Sequence, residues 1–367
     1  MLITTRAMRT YNHEAGDKAL PNDDEDKTDW LSEATPQQAE TRAFSPAEMV
    51  RCEECLRANP PTRSACLYCA KPLPLTEAGK RLRQPALRRL EDWEQGFNLI
   101  FVPQGSRRLM EESLTKMAEL LRLKVEELLK VTEAGEPLPL ARAATLEEAS
   151  LIESRLRALG ARTLMVADEE LSLDDFAPRR VRTMEFRDDA LTAYPVGGDE
   201  PFPIAWSEIT LLVAGRLVER RVEVEERRSR GSENEIVEAR ELSADEAVLD
   251  IYAANLNGNA RMHAHSFDFS CLGEQMSLVA AANFSRLVRL LRERAVVALY
   301  DDSYNRLRRA LMPAWPLEEH TGAGGLRRAR PGRFNTETVT TSDNERQFAR
   351  YSRLRHYLRT RHTDLLA

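Results

Sequence analysis

Cys52-Glu53-Glu54-Cys55-Leu56-Arg57-Ala58-Asn59-Pro60-Pro61-Thr62-Arg63-Ser64-Ala65-Cys66-Leu67-Tyr68-Cys69 holds four of the chain's five cysteines. The spacing is C-x2-C-x10-C-x2-C. Two cysteines separated by two residues form a knuckle whose sulfurs converge at about 2.3 Å on one ion, and two knuckles complete a tetrahedron. Ten residues between the knuckles are enough to reverse the chain and too few to build an apolar core, so metal binding supplies the folding energy. Four thiolates leave no open coordination position. The window therefore predicts one structural Zn²⁺ held by Cys52, Cys55, Cys66 and Cys69, with tetrahedral iron as the alternative that thiolates also suit.

Outward from this window the composition limits what the chain can be. It has 367 residues with 53 Lys+Arg against 59 Asp+Glu, and 42% of it is hydrophobic. At about 100–200 residues per domain the length predicts two or three units. No stretch approaches the roughly 18 uncharged residues of a membrane helix, and Met1 to Glu14 lacks the apolar core of a secretion signal. Clustered rather than paired cysteines fit a reducing compartment, so a cytoplasmic location with no integral membrane association is expected.

Residues 1–46 read as a disordered acidic arm around Asp23-Asp24-Glu25-Asp26, because so few large apolar residues cannot offset ordering entropy. The zinc ribbon occupies 47–74, and 75–96 reads as a charged linker helix with Leu82, Leu87 and Leu90 as a sparse stripe. Phe97 to Val102 is a buried strand ended by Pro103 and Gly105. Met110, Leu114, Met117, Leu121, Val125 and Leu128 then recur at helical spacing, with a break near Leu123 that splits the run. Leu138 to Ala143 is a weaker strand. Thr145 opens a helix with Glu148 three residues on, as a capping box requires, and Gly160 occupies the C-cap. A last strand runs from Arg162 to Val166, giving β-α(α)-β-α-β over 97–170.

Residues 180–315 read as a β-rich unit. Its strands are Thr183–Phe186, Leu191–Tyr194, Ile209–Gly215, Arg221–Val224, Val248–Tyr252 and Met262–Phe269, the last two joined around Asn257-Gly258 by a type I′ turn. A helix from Asn283 to about Val297 closes the unit. The charged interval 225–246, with Arg227-Arg228-Ser229-Arg230-Gly231, reads as a loop. After Pro316, Gly322-Ala323-Gly324-Gly325 and ten arginines from Arg327 to Arg361 read as an Arg-rich flexible tail over 316–367, ending in a short helix near Glu345 to Arg359. The fold class expected is multidomain α+β.

Three resemblances accompany these readings. C-x2-C-x3-N-x6-C-x2-C over 50–72, with Asn59 as its Asn, resembles the nucleoporin-type zinc finger, whose members bind single-stranded RNA or ubiquitin. Val50 stands where that family carries a Trp, and Leu56-Arg57 where its ubiquitin binders carry Thr-Phe. Residues 97–168 resemble the C-terminal domain of the bacterial ribosomal stalk protein, which implies a fold. Residues 181–300, with Trp206-Ser207-Glu208-Ile209, resemble a pleckstrin-homology-like domain, which implies a β-barrel with a closing helix.

No catalytic or cofactor-binding residue is assigned beyond the metal ligands. Gly322-Ala323-Gly324-Gly325 lacks the Gly-Lys-Ser/Thr of a phosphate loop. His263 and His265 share a strand face near Asp268 and Cys271, and are read as a partly exposed face. Cys271 is read as a small buried residue. Asp188-Asp189 and Asp301-Asp302 are read as turns. The expected function is that of a non-enzymatic zinc-ribbon adaptor that binds a protein partner through the ribbon and the β-rich unit. The alternative is an RNA- or ribosome-associated factor that uses the basic tail and the zinc finger.

Overall fold

A computed structural model of the chain describes residues 44–74, 76, 79, 87–88, 90, 94–105, 109–171, 177–227, 235–255, 258–330 and 333–365. The arm expected over 1–46 lies outside them except for 44–46, and the linker helix over 75–96 except for a few positions. Ala47–Ala367 is one compact unit of mixed α/β structure.

The strand pair β1 (Val50–Arg51) and β2 (Ala58–Asn59) opens the ribbon. Next come β3 (Phe97–Phe101), helices α1 (Glu111–Leu121) and α2 (Val125–Thr132), β4 (Leu138–Ala143), α3 (Leu146–Ala158) and β5 (Thr163–Ala167). The element order expected for 97–170 is present, as an antiparallel sheet ordered β4-β3-β5. Arg122, in the left-handed region at φ 55°, separates α1 from α2 where the break was read. Met110 lies just outside α1 and is exposed, so the apolar face begins at Leu114. Thr145 Oγ1 accepts from the Glu148 N–H at 3.2 Å, while Glu148 accepts from the N–H groups of Ala144 and Leu87. The short helix α4 (Asp168–Leu171) follows.

The remaining strands are β6 (Arg179–Phe186), β7 (Ala190–Pro195), β8 (Phe202–Ala205), β9 (Ile209–Arg227), β10 (Glu235–Ala253) and β11 (Ala260–His263). After them come α5 (Ala280–Arg294), β12 (Leu299–Asp301), α6 (Tyr304–Leu311), β13 (Glu318–Arg330), β14 (Arg333–Asp343) and α7 (Glu345–Arg361). The strands form one nine-stranded sheet, β13-β14-β9-β10-β11-β6-β7-β8 with β12 beside β9, curled into a half-barrel. A half-barrel with α5 on one face replaces the closed barrel that the resemblance implied. Leu287, Val288 and Leu291 of α5 pack there with Leu212, Ala214, Leu249 and Ile251.

Four expectations are corrected. Strands read separately at 209–215 and 221–224 are one 19-residue strand, because Gly215 marks a close approach rather than an end: a Cβ there would sit 2.5 Å from the Phe348 ring. Residues 225–227 and 235–246 of the expected loop are strand, and 228–234 lie outside the described residues. The β10–β11 connection is wider than a two-residue turn: Gly258 has no positive φ, and Asn259 Oδ1 accepts from the Ala253 N–H at 3.0 Å, while Asn257 lies outside the described residues.

The largest correction concerns 316–367. This segment supplies two strands and a helix, with Phe348, Tyr351, Leu354 and Leu358 of α7 fully buried. They join Trp315, Tyr304, Leu211, Val213, Val248 and Tyr252 in one core with the α/β elements, so 97–170 and the C-terminal residues share a hydrophobic cluster. Arginine content concealed an apolar stripe at helical spacing. Gly324 reads as linker but sits against Glu337 and Val339, where a Cβ would lie 2.8 Å from the Glu337 Cγ.

Polar contacts fix the same interface. Arg261 grips Asp250 through two bonds of 2.6 and 2.7 Å, and Ser352 of α7 donates to the same carboxylate at 2.6 Å while lying 2.9 Å from the Tyr252 hydroxyl. Asp301, read as part of a turn, is buried: Tyr351 donates to it at 2.8 Å and Arg355 pairs with it at 2.5 Å. Arg355 also reaches Glu136 at 2.8 Å. Trp315 donates to Asn98 of β3 at 2.8 Å, and Asn98 donates to Asp168 at 2.9 Å.

Two outcomes follow. Leu354→Ala should cost about 2–5 kcal/mol in denaturant unfolding, the range for a buried leucine, whereas Arg361→Ala on the exposed end of α7 should stay within about 0.5 kcal/mol. In a flexible tail both changes would stay within about 0.5 kcal/mol. His356 stacks on Tyr252 at 4.4 Å, and burial holds its pKa down at about 4. The unfolded chain therefore takes up this proton first, and stability should be lost as pH falls from about 6.5 through 4. His356→Phe should flatten that limb of the stability–pH profile.

Candidate metal centre

Both knuckles are built the same way. The Cys52 N–H donates to Arg57 O at 3.0 Å and the Leu56 N–H to Cys52 O at 2.9 Å. In the second knuckle the Cys66 N–H donates to Lys71 O at 2.8 Å and the Ala70 N–H to Cys66 O at 3.0 Å. Leu56 and Ala70, each directly after a knuckle's second cysteine, both take φ 58°. Left-handed backbone costs a non-glycine residue about 1–2 kcal/mol, so these turns need the hydrogen bonds and sulfur convergence that hold them.

The four Sγ atoms lie within 4.8 Å of one another, with Cys52–Cys69 and Cys55–Cys66 each at 3.5 Å. Sulfurs bound at about 2.3 Å around one tetrahedral ion lie about 3.8 Å apart, so the set fits Zn²⁺ with little movement. All four are free thiols rather than disulfides. Burial opposes ionisation of Cys66, yet the N–H groups of Tyr68 and Cys69 and the Asn59 amide bring its pKa down to about 6. The ribbon's apolar interior is only Val50, Leu73 and the buried cysteines Cys52 and Cys66, as expected where the ion replaces a core.

Asn59 does more than stabilise a turn. Its buried amide donates to Arg57 O at 2.9 Å and lies 3.5 Å from Cys66 Sγ, and its Oδ1 accepts from the Leu67 N–H at 2.8 Å. One side chain thus links both knuckles. The sequence did not single out the outer surface: Leu56, Leu67 and Tyr68 are 69%, 53% and 55% exposed, and the Arg57 guanidinium lies 4.6 Å from the centre of the Tyr68 ring. Their position within a knuckle, for Leu67 and Tyr68, or directly after one, for Leu56, was the available signal, since side chains there have no core to enter.

The other candidates stay apart from any metal chemistry. His263 is buried with Nδ1 3.2 Å from Glu246, and the His265 N–H donates to the same carboxylate at 2.7 Å. They turn to Glu246 rather than to Asp268 and Cys271. Cys271 is half-buried, and burial beside Asp268 raises its pKa to about 11. Among the described residues the four cysteines are the one group placed to hold a metal, and no helix is long and apolar enough to cross a membrane. No protein-family model matches the chain, and neither the curated proteins nor the solved structures contain a match to it.

Native mass spectrometry should find one Zn²⁺ per chain, lost on Cys52→Ser or Cys66→Ser. Asn59→Ala strands the Leu67 N–H and the Arg57 carbonyl at a cost of about 1–3 kcal/mol, which should appear as at least about fivefold easier zinc removal by a competing chelator.

Proposed function

We propose that the chain is a cytoplasmic, non-enzymatic adaptor whose zinc ribbon docks a protein partner. The observation that carries this reading is the trio Leu56, Leu67 and Tyr68, large apolar side chains held outward on a scaffold built around four metal-binding thiols. Rigid, exposed apolar and aromatic groups lose little entropy on binding and are the usual anchors of protein contacts. Arg57 over Tyr68 adds a cation that suits a carboxylate at the rim of such a contact.

A structural role for the metal is supported by the full set of thiolates, which leaves no position for substrate or water. The non-enzymatic reading is further supported by how the buried carboxylates are engaged. Asp168 pairs with Arg142, Asp250 with Arg261 and Asp301 with Arg355.

The test is quantitative crosslinking in the source cell with the wild-type chain and with Leu56→Ser/Leu67→Ser/Tyr68→Ser. The variant should keep one zinc and lose a defined partner by at least about tenfold, the effect of removing about 1.4 kcal/mol of binding. Cys52→Ser should lose the same partner. An unchanged partner set in both variants would refute the ribbon's docking role.

A further inference from the structure

Strand β6 lacks a neighbour along part of one edge. On that side Ala260, Arg261 and Met262 of β11 pair with Arg179, Arg180 and Val181, and the Asp268 N–H then donates to Arg182 O at 2.7 Å. There the neighbour leaves, because Phe269–Gln275 turns away as a 3-10 segment. On the other side β6 pairs with β7 in constant register from Thr183 opposite Tyr194 to Phe186 opposite Leu191, and the Arg187 N–H donates to Ala190 O at 2.8 Å. Backbone groups alternate sides along an antiparallel strand, so Thr183, Glu185 and Arg187 serve β7, while Met184 and Phe186 turn their N–H and C=O groups to the side that β11 has left. Among the described residues these four groups have no hydrogen-bond partner.

Buried main-chain polar groups are nearly always paired, and Met184 is only 1% exposed. Beside this edge lies a groove of about 500 Å³, with Met184 and Phe186 on one wall and Ser270 and Cys271 on the other. A neighbouring strand repeats its outward donors and acceptors every second residue, about 6.6 Å, which is the spacing that Met184 and Phe186 present. We infer that this groove binds an extended peptide segment of a protein partner, which adds to β6 as a strand through the main chains of Met184 and Phe186.

The chemistry of the occupant follows from the walls. N–H and C=O groups in regular alternation are complementary to another extended main chain, as in other cases of strand addition to a sheet edge. A second copy of this chain cannot offer the same edge of its own β6, since residues 269–275 wall that edge there too. Peptide residues opposite Met184 and Phe186 face inward with them, toward the interior that Phe186 and Cys271 border, so apolar side chains are required at alternate positions. Charge sets the ends. Arg182 and Arg187 are exposed, line the groove and form no ion pair among the described residues. The acids beside them are engaged, Glu185 by Tyr194 and Asp268 by the Ser270 N–H at 2.9 Å. The segment therefore carries a carboxylate where it leaves the groove. None of these residues belongs to the ribbon, so the inference does not rest on the ribbon's docking role.

The test pans a display library of random dodecapeptides on the full-length, zinc-loaded chain and reads a fluorescent synthetic copy of the enriched sequence by anisotropy. Enrichment should converge on apolar residues at alternate positions with Asp or Glu at one end or both. Ser270→Trp places an indole across the groove and should weaken the peptide's binding at least about tenfold while keeping the wild-type unfolding midpoint. Arg182→Gln/Arg187→Gln should weaken it about fivefold, the effect of losing exposed ion pairs. Hydrogen exchange of the wild type should slow at the Met184 and Phe186 amides when the peptide is added, which keeps the test decisive if the Ser270→Trp chain misfolds. Leu56→Ser/Leu67→Ser/Tyr68→Ser should bind the peptide like wild type, so failure of the ribbon reading and of this one are separable. No enrichment over a control protein, unchanged binding by a folded Ser270→Trp chain, protection confined to other amides, or a dimer that Ser270→Trp abolishes with no peptide enriched would each overturn the inference.

Discussion

Strands β9 and β10 bury both faces over their paired segments 211–214 and 249–252, and everything packed around them answers that requirement. Leu211 and Val213 enter one core, while Leu212 and Ala214 enter the other. A sheet segment with alternating side chains can be covered on both sides only if two separate layers arrive. Helix α5 with the curled strands supplies one. The α/β elements, α6 and α7 supply the other, which is why residues 97–171 and 304–358 share a single core.

Meeting that requirement brings polar groups inside. Asp250 and Asp301 are buried on the strands that α7 covers, and an unpaired buried charge costs several kcal/mol. Each is matched from a different element: Arg261 from β11 and Ser352 from α7 for the first, Tyr351 and Arg355 from α7 for the second. Such pairs add little net stability compared with apolar residues, but they penalise any other placement of α7, since a shifted helix would strand both carboxylates. Arg355 extends the constraint to Glu136 and so ties the α/β elements to the same register.

Legibility in the sequence followed whether local signals and tertiary demands agreed. The C-x2-C pair, the strand–helix order of 97–170 and the Thr145 cap depend on neighbours within a few residues, and these were readable. α7 was misread because Arg346, Arg350, Arg353, Arg355, Arg359 and Arg361 dominate its composition, although Phe348, Tyr351, Leu354 and Leu358 keep a helical stripe. The interval 225–246, which holds the end of β9 and the outer part of β10, was misread as a loop for another reason. Residues 236–245 are exposed and rich in charge, so they carry no alternation of apolar and polar residues from which a strand could be recognised. On the ribbon, the ligands followed from spacing alone, whereas the exposure of Leu56, Leu67 and Tyr68 needed the fold.

Beyond Leu217, β9 continues beside β10, β14 and β13 with no residue in either core, so the order of this extension must be imposed at its base. Between the stretch where β9 pairs with β12 and the stretch where it pairs with β14, its backbone is satisfied by side-chain amides. The Arg216 N–H donates to Asn305, Asn344 donates to Arg216 O at 3.0 Å, and the Val218 N–H donates to Asn344 at 2.6 Å. Asn344 is also the residue between β14 and α7, and the Phe348 ring one turn later lies against Gly215. Burial of α7 therefore fixes where β14 starts along β9, and the ladder propagates outward from that point. Bulges in β13 at Ala323/Gly325 and Arg328/Arg330 interrupt its outer edge, which discourages further strands from adding there. The helix read from composition as a loose end is thus what sets the register of these four strands.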